Sequence, residues 1–346
     1  DNKDVRLEEI AEPNPGPGEV KLRITGTSIC ATDIEEWQYG PLWVQHGSPN
    51  AMTGKQTPLV LGHETAGTVA ELGEGVDNVA VGDRVAINTV LTCGTCFWCM
   101  KGQQAVCPNM AVAGFMADGG LAEFMVWPAD KLVPMPDSIS DAEGPLLEPA
   151  TVAVHGVRRS GVRPGDYVAV LGCGTVGLLT VQAFKTAGAR VIAIDVREQN
   201  LALAKELGAD ETVISRDETA AAAELLELTG GIGPDIVVET AGAKETPRMA
   251  IEWTRRGGTT LLLGIYSTTP EINFNNVVGP EITVIGSVAT SPGDLEVAVE
   301  LVGNGSINVK PLISEIVPLS RAMEDGFQRM LDPNKDIYRI VIQPGS

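Results

Sequence analysis

Four cysteines fall within one short stretch and limit how that part of the chain can fold. They are spaced C-x2-C-x2-C-x7-C, at Cys93, Cys96, Cys99 and Cys107. Four thiolates this close can surround one tetrahedral zinc ion and fill all four of its positions. A disulfide framework is the alternative, but such frameworks are typical of small secreted domains. This chain has 346 residues and shows no signal peptide, so the spacing predicts a structural zinc site.

The composition narrows the class of protein and its partners. The length predicts about two domains, and a hydrophobic content of 44% is ample for their cores. The formal net charge of −20 would repel phosphate backbones and anionic lipid surfaces. No apolar run approaches the roughly 18 residues that a membrane helix needs. We therefore expect a cytoplasmic protein with no nucleic-acid or membrane partner.

The pattern of apolar residues changes near residue 153. Before it, short apolar runs alternate with turn signals, which predicts a β-rich unit with strands near Val20–Ile24, Ala66–Val69, Arg84–Ile87 and Leu121–Val126. After it, strands alternate with helices, which predicts a parallel sheet covered on both faces. The predicted strands of this second unit are Tyr167–Leu171, Val191–Ile194, Thr212–Ile214, Ile236–Glu239, Thr260–Leu263 and Ile282–Ile285. The last apolar run, Tyr338–Ile342, could return to the first unit.

A glycine-rich turn joins the first strand and first helix of the predicted parallel sheet. Its sequence is G-x-G-x-x-G, with the glycines at Gly172, Gly174 and Gly177 and with Thr175 and Val176 opening the helix. In this context the pattern predicts a dinucleotide site, because the helix N-terminus offers N–H groups to a pyrophosphate. A glycine turn that serves packing alone is the alternative.

Asp195 ends the next strand and is the candidate reader of the cofactor's ribose. A carboxylate there can accept hydrogen bonds from both ribose hydroxyls and would repel a 2′-phosphate, which favours NAD over NADP. Arg197 lies two residues further on and could weaken this preference.

A second, sparser set of metal-binding side chains stands outside the cysteine cluster. Cys30, His63 and Glu148 lie far apart in sequence, although a thiolate, an imidazole and a carboxylate together suit Zn²⁺. Spacing alone does not show that they meet, since a lone cysteine is usually buried packing and a lone glutamate usually solvated.

The motifs taken together resemble the zinc-containing medium-chain alcohol and polyol dehydrogenases. The matching segments follow the family order and cover nearly the whole chain: Gly62-His63-Glu64-Thr65-Ala66-Gly67, the four-cysteine lobe, Gly119-Gly120-Leu121-Ala122-Glu123-Phe124, Glu148-Pro149, Val152-Ala153-Val154-His155 and the glycine-rich turn. The resemblance implies an α/β protein with a GroES-like β-barrel catalytic domain at 1–152 and 290–346. It implies a Rossmann domain, a doubly wound parallel sheet that binds NAD, at 153–289.

The same resemblance assigns roles at a catalytic zinc, which would be the second zinc of each chain. Cys30 and His63 would bind it, and Glu64 would be a ligand or a neighbour that exchanges with one. Glu148 would bind directly or through a water. Thr32 falls where the family has a Ser or Thr in contact with the substrate oxygen. The activity implied is the reversible, NAD-dependent oxidation of a secondary alcohol or vicinal diol to the ketone.

Within that family the chain is most similar to the butanediol and sorbitol branch. The segment Trp37–Thr57 resembles an insertion of 2,3-butanediol dehydrogenases. Sorbitol- or iditol-type polyols and cyclitols are alternative substrates, although the Arg-Tyr pair of sorbitol dehydrogenases is replaced here by residues 286–290. Threonine dehydrogenases usually lack the glutamate–proline pair at Glu148. The resemblance also implies a homodimer or homotetramer.

One departure from the family affects the path of the proton. Many relatives carry a histidine where this chain has Glu35. Glu35 could replace it, His46 could substitute from the insertion, or the relay could run through water. Two further rivals are a zinc-free quinone reductase relative and a non-enzymatic zinc and nucleotide binder, and the zinc content separates both from the enzyme.

Overall fold

The computed structural model describes residues 3–332 and 336–345 and divides the chain into two compact units. The first unit comprises Asp1–Glu148, Thr290–Gly305 and Val309–Ser346, and the second comprises Pro149–Ala289 and Ser306–Asn308. The first boundary thus falls between 148 and 149, whereas the sequence placed it at 152. The predicted domain ranges 1–152, 153–289 and 290–346 stay a prediction, and their residues 1–2, 333–335 and 346 lie outside the described part.

The described residues form fifteen strands, most of them where short apolar runs were expected. They are β1 Glu19–Ser28, β2 Glu64–Leu72, β3 Arg84–Ile87, β4 Val90–Leu91, β5 Ala111–Val112, β6 Phe124–Pro128, β7 Leu132–Pro134, β8 Tyr167–Leu171, β9 Arg190–Asp195, β10 Glu211–Ile214, β11 Ile236–Glu239, β12 Thr259–Leu262, β13 Thr283–Gly286, β14 Ile313–Pro318 and β15 Arg339–Gln343. The run expected at Leu121–Val126 begins as a strand only at Phe124.

The same part of the chain contains ten α-helices. They are α1 Ala31–Tyr39, α2 Phe97–Met100, α3 Leu147–Ser160, α4 Thr175–Thr186, α5 Glu198–Glu206, α6 Glu218–Leu228, α7 Thr246–Trp253, α8 Asn275–Val278, α9 Asp294–Gly303 and α10 Gln328–Met330. A π-helical turn at Ala322–Phe327 precedes α10. In the described ranges none of these helices combines the length and the apolar character needed to cross a membrane.

The first unit is built on a sheet with strand order β14-β15-β1-β2-β3-β7, and β6 also pairs with β1. All of its pairings are antiparallel except that of β14 with β15. The last apolar run of the sequence does return to this unit, because β15 pairs with β1. Alternate residues of β1, including Val20, Leu22 and Ile24, enter a core that also holds Trp127.

The second unit is a six-stranded sheet with strand order β10-β9-β8-β11-β12-β13. Every pairing is parallel, as the alternation of strands and helices predicted. The central strand β8 is buried over Val168–Leu171, which explains its unbroken run of apolar residues. Since the strands are parallel, their carboxyl ends share one edge, where Leu171 pairs with both Ile194 and Glu239.

The glycine-rich turn supplies a test of this packing. A Cβ on Gly177 would lie 1.9 Å from the carbonyl oxygen of Gly172, whereas a Cβ on Gly174 would meet no atom within 4 Å. Gly177→Ala should therefore lower the free energy of unfolding by about 1–3 kcal/mol through overpacking. Gly174→Ala, the matched control, should leave it nearly unchanged. Chemical denaturation measures both, and equal stability of the two variants would contradict this packing.

Candidate active site and metal centres

The four clustered cysteines are brought together at zinc-binding distances. Their sulfur atoms all lie within 4.8 Å of one another, with Cys107 3.6 Å from Cys93 and 3.9 Å from Cys96. Sulfurs bound to one zinc at about 2.3 Å would sit about 3.8 Å apart at the corners of a tetrahedron, whereas a disulfide needs about 2.05 Å. All six cysteines of the chain are free thiols. The spacing of the sulfurs therefore fits a zinc ion and not a disulfide.

Backbone N–H groups of this lobe donate hydrogen bonds to the cysteine sulfurs. Cys96 caps α2, its sulfur accepting the N–H of Cys99 at 3.5 Å, and the sulfur of Cys107 accepts the N–H of Cys93 at 3.5 Å. Hydrogen bonds from the backbone of Thr95 and Cys96 lower the pKa of Cys93 to about 6, whereas burial raises the pKa of Cys99 to about 11. A bound cation would favour the thiolate of each.

A second cluster forms from Cys30, His63 and Glu64, whose ligand atoms lie within 4.8 Å of one another. Antiparallel pairing of β1 with β2 produces it, because Ser28 pairs with Glu64. Cys30 follows the end of β1 and His63 precedes the start of β2. Three protein ligands with further positions open are typical of a catalytic zinc, in contrast to the closed four-cysteine site.

The carboxylate of Asp33 faces the histidine of this cluster. One oxygen of this buried carboxylate accepts the N–H of Cys30 at 2.9 Å, and the other lies 3.3 Å from Nδ1 of His63. Within the described residues, that oxygen and that nitrogen are buried and have no partner with hydrogen-bond geometry. Burial lowers the pKa of His63, but Asp33 and Cys30 outweigh it and raise that pKa well above its usual value. A carboxylate at one ring nitrogen and a thiolate nearby form the environment of a metal-binding imidazole.

Arg339 holds the carboxylate of Glu64 with two hydrogen bonds. Its Nε and Nη2 donate to the two carboxylate oxygens at 2.8 Å each, and Ser28 Oγ donates to one of them. Arg339 Nη2 also lies 3.6 Å from the sulfur of Cys30. Burial raises the pKa of Glu64, but Arg339 outweighs burial and holds that pKa below its usual value. Glu64 is therefore an ionised, fixed carboxylate at the edge of the metal cluster.

Glu148 lies in the first turn of α3 and is half-buried. The three-residue ligand cluster does not include it, but its charge interacts with those of His63, Glu64 and Arg339. Burial, with a contribution from Glu64, raises the pKa of Glu148 to about 7. A zinc ion nearby would favour the ionised form. The structure thus brings Glu148 within electrostatic range of the cluster, although the three-residue group does not include it.

Three other residues named from the sequence differ in their distance from the cluster. The hydroxyl of Thr32 lies 3.6 Å from the sulfur of Cys30, so Thr32 stands beside the cluster. Glu35 lies on α1, half-buried, and burial raises its pKa. His46 is exposed, with Nδ1 3.4 Å from the carbonyl oxygen of Val44. The cluster formed by the described residues includes neither Glu35 nor His46.

Two aromatic side chains in this part of the chain have different surroundings. The ring of Phe115 lies 4.9 Å from that of His63 and shields one side of the cluster. Trp37 instead packs edge-on against Phe327, at 5.8 Å, in a hydrophobic core. Phe115 therefore contacts the cluster, whereas Trp37 belongs to the packing of a core.

The glycine-rich turn of the second unit leaves space for a ligand. Gly172 has a φ of 100°, which favours glycine, and Gly174 has an open position where a Cβ would stand. Thr175 and Val176 then begin α4. The N-cap residue is Gly174, so no side chain occupies the hydrogen-bonding groups at the start of this helix. This combination of bare backbone and helix N-terminus fits a pyrophosphate.

Asp195 ends β9 at the same edge and is buried. Its carboxylate accepts the N–H of Cys173 at 2.7 Å and the N–H of Arg197 at 2.9 Å, and it also accepts from Asn200 at 3.2 Å. Each oxygen can accept more than one hydrogen bond, so a ribose hydroxyl can be added. The neighbouring residue Arg197 is exposed.

Sequence reasoning missed Asp33, Ser28 and Arg339 as members of the site. Asp33 lies three residues after the predicted ligand Cys30, which was a usable signal. Arg339 was a charged residue inside an apolar strand, and such a residue is buried only with a partner. Its partner Glu64 lies 275 positions away, which no local pattern indicates.

Known proteins resemble this chain along most of its length. The domain family described as alcohol dehydrogenase GroES-like domain matches residues 16–137, and the family described as zinc-binding dehydrogenase matches residues 175–304. The (R,R)-butanediol dehydrogenase of Bacillus subtilis is 33% identical over 99% of this chain and 97% of its own length. The sorbitol dehydrogenase of Gallus gallus is 35% identical over 93% of this chain and 89% of its own.

Solved structures show the same fold. The crystal structure of the Bacillus subtilis 2R,3R-butanediol dehydrogenase superposes with a TM-score of 0.92 at 32% identity, covering 99% of this chain and 97% of that one. This confirms the predicted fold class, a GroES-like domain with a Rossmann parallel sheet. A zinc-binding dehydrogenase of Sinorhizobium meliloti bound to NADP, and an alcohol dehydrogenase of Escherichia coli complexed with NADH, each superpose with a TM-score of 0.87, at 30% and 26% identity. They cover 99% of this chain and 97% and 96% of their own.

If each cluster binds one zinc ion, a substitution in one cluster should remove one ion and leave the other bound. Cys30→Ser should lower bound zinc from about two ions per chain to about one, because it removes a ligand of the open site and leaves the closed site intact. Cys173→Ala, a control at a buried cysteine of the other unit, should retain both ions. Elemental analysis of purified protein measures this, and full zinc retention in Cys30→Ser would contradict the assignment.

Proposed function

Because the chain belongs to the zinc-type medium-chain dehydrogenases, we propose that it oxidises a vicinal diol or another secondary alcohol to the ketone, reversibly, with NAD. The observation that carries the proposal is the open cluster of Cys30, His63 and Glu64. It supplies the thiolate and imidazole of a catalytic zinc on a unit matched by the GroES-like domain family.

The residues of the cluster hold the metal and shape its surroundings. When bound, zinc supplies a Lewis acid that favours the alkoxide form of the alcohol, and NAD supplies the hydride acceptor. Cys30 and His63 would be direct ligands. Glu64 is already held by Arg339, which supports the role of exchanging neighbour over that of permanent ligand. Glu148 would reach the metal through a water, since it stands outside the cluster.

Thr32 would take the proton of the alcohol. Its Oγ1 stands 3.6 Å from Cys30 Sγ, on the residue after the first position of α1, and can both accept and donate. Glu35 lies one turn further along α1 and would pass the proton toward solvent, because burial raises the pKa of its carboxyl. Phe115 would exclude water on the side of His63.

We also propose that Cys93, Cys96, Cys99 and Cys107 bind a structural zinc. Their sulfurs would fill a tetrahedral ion and leave no position for a substrate. Its role would be to fix the lobe at 93–107, whose regular structure consists of only the short helix α2 and a 3-10 turn.

For the cofactor, Gly172, Gly174 and Gly177, with Thr175 and Val176, would bind the pyrophosphate of NAD. Asp195 would bind the ribose beside the adenine. Arg197, an exposed neighbour, would leave some affinity for NADP. These roles rest on the open position at Gly174 and on the acceptor capacity of the Asp195 carboxylate.

A short vicinal diol such as 2,3-butanediol is the favoured substrate. The butanediol dehydrogenase of Bacillus subtilis matches 99% of this chain at 33% identity. A sorbitol-type polyol is the second candidate, since a sorbitol dehydrogenase is 35% identical. The absence of an Arg-Tyr pair at 286–290 counts against long polyols, and a threonine dehydrogenase activity ranks below both.

The chain would act as a homodimer or homotetramer in the cytoplasm. The edge strand β13 is paired by β12 on one side, and Val284 and the nearby Val288 are 40% and 51% exposed. An exposed apolar edge of this kind is suited to pairing with a second copy, and sedimentation of the purified protein would show a monomer if the proposal is wrong. A reducing compartment would keep the zinc-binding thiols free.

The activity is tested with zinc-loaded protein, NAD and a panel of alcohols. The value of kcat/KM should be at least about tenfold higher for a 2,3-butanediol stereoisomer than for sorbitol or L-threonine. Cys30→Ser should lower it by about 10³-fold, because the Lewis acid contributes several kcal/mol to the transition state. A preference for sorbitol would favour the second candidate, and full activity of Cys30→Ser would exclude a zinc mechanism at this site.

The ribose assignment is tested with Asp195→Ala. Binding of NAD should weaken about tenfold, and binding of NADP should weaken less or strengthen, because the carboxylate that repels a 2′-phosphate is gone. Glu224→Ala, which removes an exposed charge from α6 of the same unit, should change neither. Calorimetry with both cofactors measures the ratio. An equal loss for the two would mean that Asp195 acts only through its hydrogen bonds to the glycine turn.

A further inference from the structure

Glu239, the last residue of β11, is a fully buried carboxylate held by four neutral donors. Its Oε1 accepts the N–H groups of Ala241 and Gly242 at 2.8 Å each and the hydroxyl of Thr246 at 2.7 Å. Its Oε2 accepts the hydroxyl of Tyr266. Among the described residues no cation forms an ion pair with it. A buried charge is costly unless it is fully hydrogen-bonded, so these donors must remain in place.

These donors follow two neighbouring strands. Ala241 and Gly242 lie in the loop after β11 and Thr246 begins α7 at its far end, whereas Tyr266 lies in the loop after β12. The loops also touch directly, because a Cβ on Gly242 would lie 2.4 Å from the carbonyl oxygen of Ile265, and a Cβ on Gly264 would lie 2.3 Å from Glu239 Oε2. Glu239 therefore ties the two loops into one piece.

The first of these loops also contacts the glycine-rich turn. The hydroxyl of Thr240 donates to the carbonyl oxygen of Gly172 at 2.7 Å, and Gly172 packs against Ala241. The glycine-rich turn that would hold the pyrophosphate is thus in contact with the loops that Glu239 connects. A displacement of Glu239 would therefore move both the turn and the loops.

The order of the strands decides which half of a dinucleotide meets these loops. Asp195 ends β9, on one side of β8, and β11 and β12 lie on the other side. With the adenine-side ribose at Asp195 and the pyrophosphate after β8, the nicotinamide half must extend over the ends of β11 and β12. Ile265, which is 52% exposed, and the half-buried Tyr266 lie at that position.

We propose that Glu239 is a positioning residue for the nicotinamide half of the cofactor, and that it acts by holding the hydroxyl of Tyr266 and the loop after β11. The inference rests on the proposed binding of NAD by this unit. Burial and the Glu239 carboxylate raise the pKa of Tyr266, so the phenol stays protonated and donates. Tyr266 and Ile265 then form a fixed surface for the nicotinamide ring. Binding of the nicotinamide therefore need not order these loops.

Tyr266→Phe tests the proposal because it removes the donor and keeps the ring. Calorimetry would compare NAD with ADP-ribose, which has the same adenine half and pyrophosphate but no nicotinamide. We expect the affinity for NAD to fall roughly three- to tenfold, the effect of one lost hydrogen bond, and the affinity for ADP-ribose to stay within about twofold. Thr246→Val, which removes a second donor to Glu239, should shift NAD in the same direction.

Tyr167→Phe is the matched control. Tyr167 begins β8 at the opposite edge of the same sheet, where its hydroxyl accepts a hydrogen bond from Arg190 at 2.9 Å. This variant should bind both ligands as the unaltered chain does. Thermal unfolding of all variants reports whether any of them has lost its fold.

The outcomes separate the inference from the function on which it rests. Loss of NAD affinity with retained ADP-ribose affinity supports the inference. Equal loss of both ligands in Tyr266→Phe, or loss of neither, would overturn it while leaving NAD binding by this unit intact. An unaltered chain that binds neither ligand would overturn the proposed function together with the inference.

Discussion

The register of strand β1 is the constraint on which the candidate catalytic centre depends. β1 pairs with β2 and with β15, so that Ser28 stands opposite both Glu64 and Val341. This places Cys30, just after β1, beside His63 and near Arg339 of β15. A slip of one residue in either pairing would turn the side chains of that strand to the opposite face and separate the cluster.

The charges collected at that register can be buried only as a set. Arg339 and Glu64 are almost completely buried as an ion pair, and removing one partner of such a pair costs about 3–5 kcal/mol because the other is left uncompensated. The buried carboxylate of Asp33 likewise lies 3.3 Å from Nδ1 of His63. In the second unit, Glu239 is satisfied by neutral donors instead. Both units therefore contain a buried carboxylate that is fixed by several donors.

Prediction from the sequence succeeded where the signal was local. The closely spaced cysteines, the glycine-rich turn after an apolar strand and the alternation of strands and helices each lie within a short window. The structure contains the parallel sheet and brings the four sulfurs together. The ends of elements were predicted less accurately: the strand expected from Leu121 begins at Phe124. The sequence also did not predict α3, the helix on which Glu148 lies. Propensity and period are averaged over a window, which blurs the ends of elements.

The sequence by itself determined the two kinds of unit and indicated the cysteine lobe and the glycine-rich turn, because each of these features depends on residues that are neighbours along the chain. Only the tertiary structure decided which distant side chains share the open site. It joined Arg339 to Glu64, brought Asp33 to His63, and left Glu148 outside the ligand cluster. The physical reason is that strand pairing and burial select partners by position in space, and a buried charge needs a partner wherever the fold provides one.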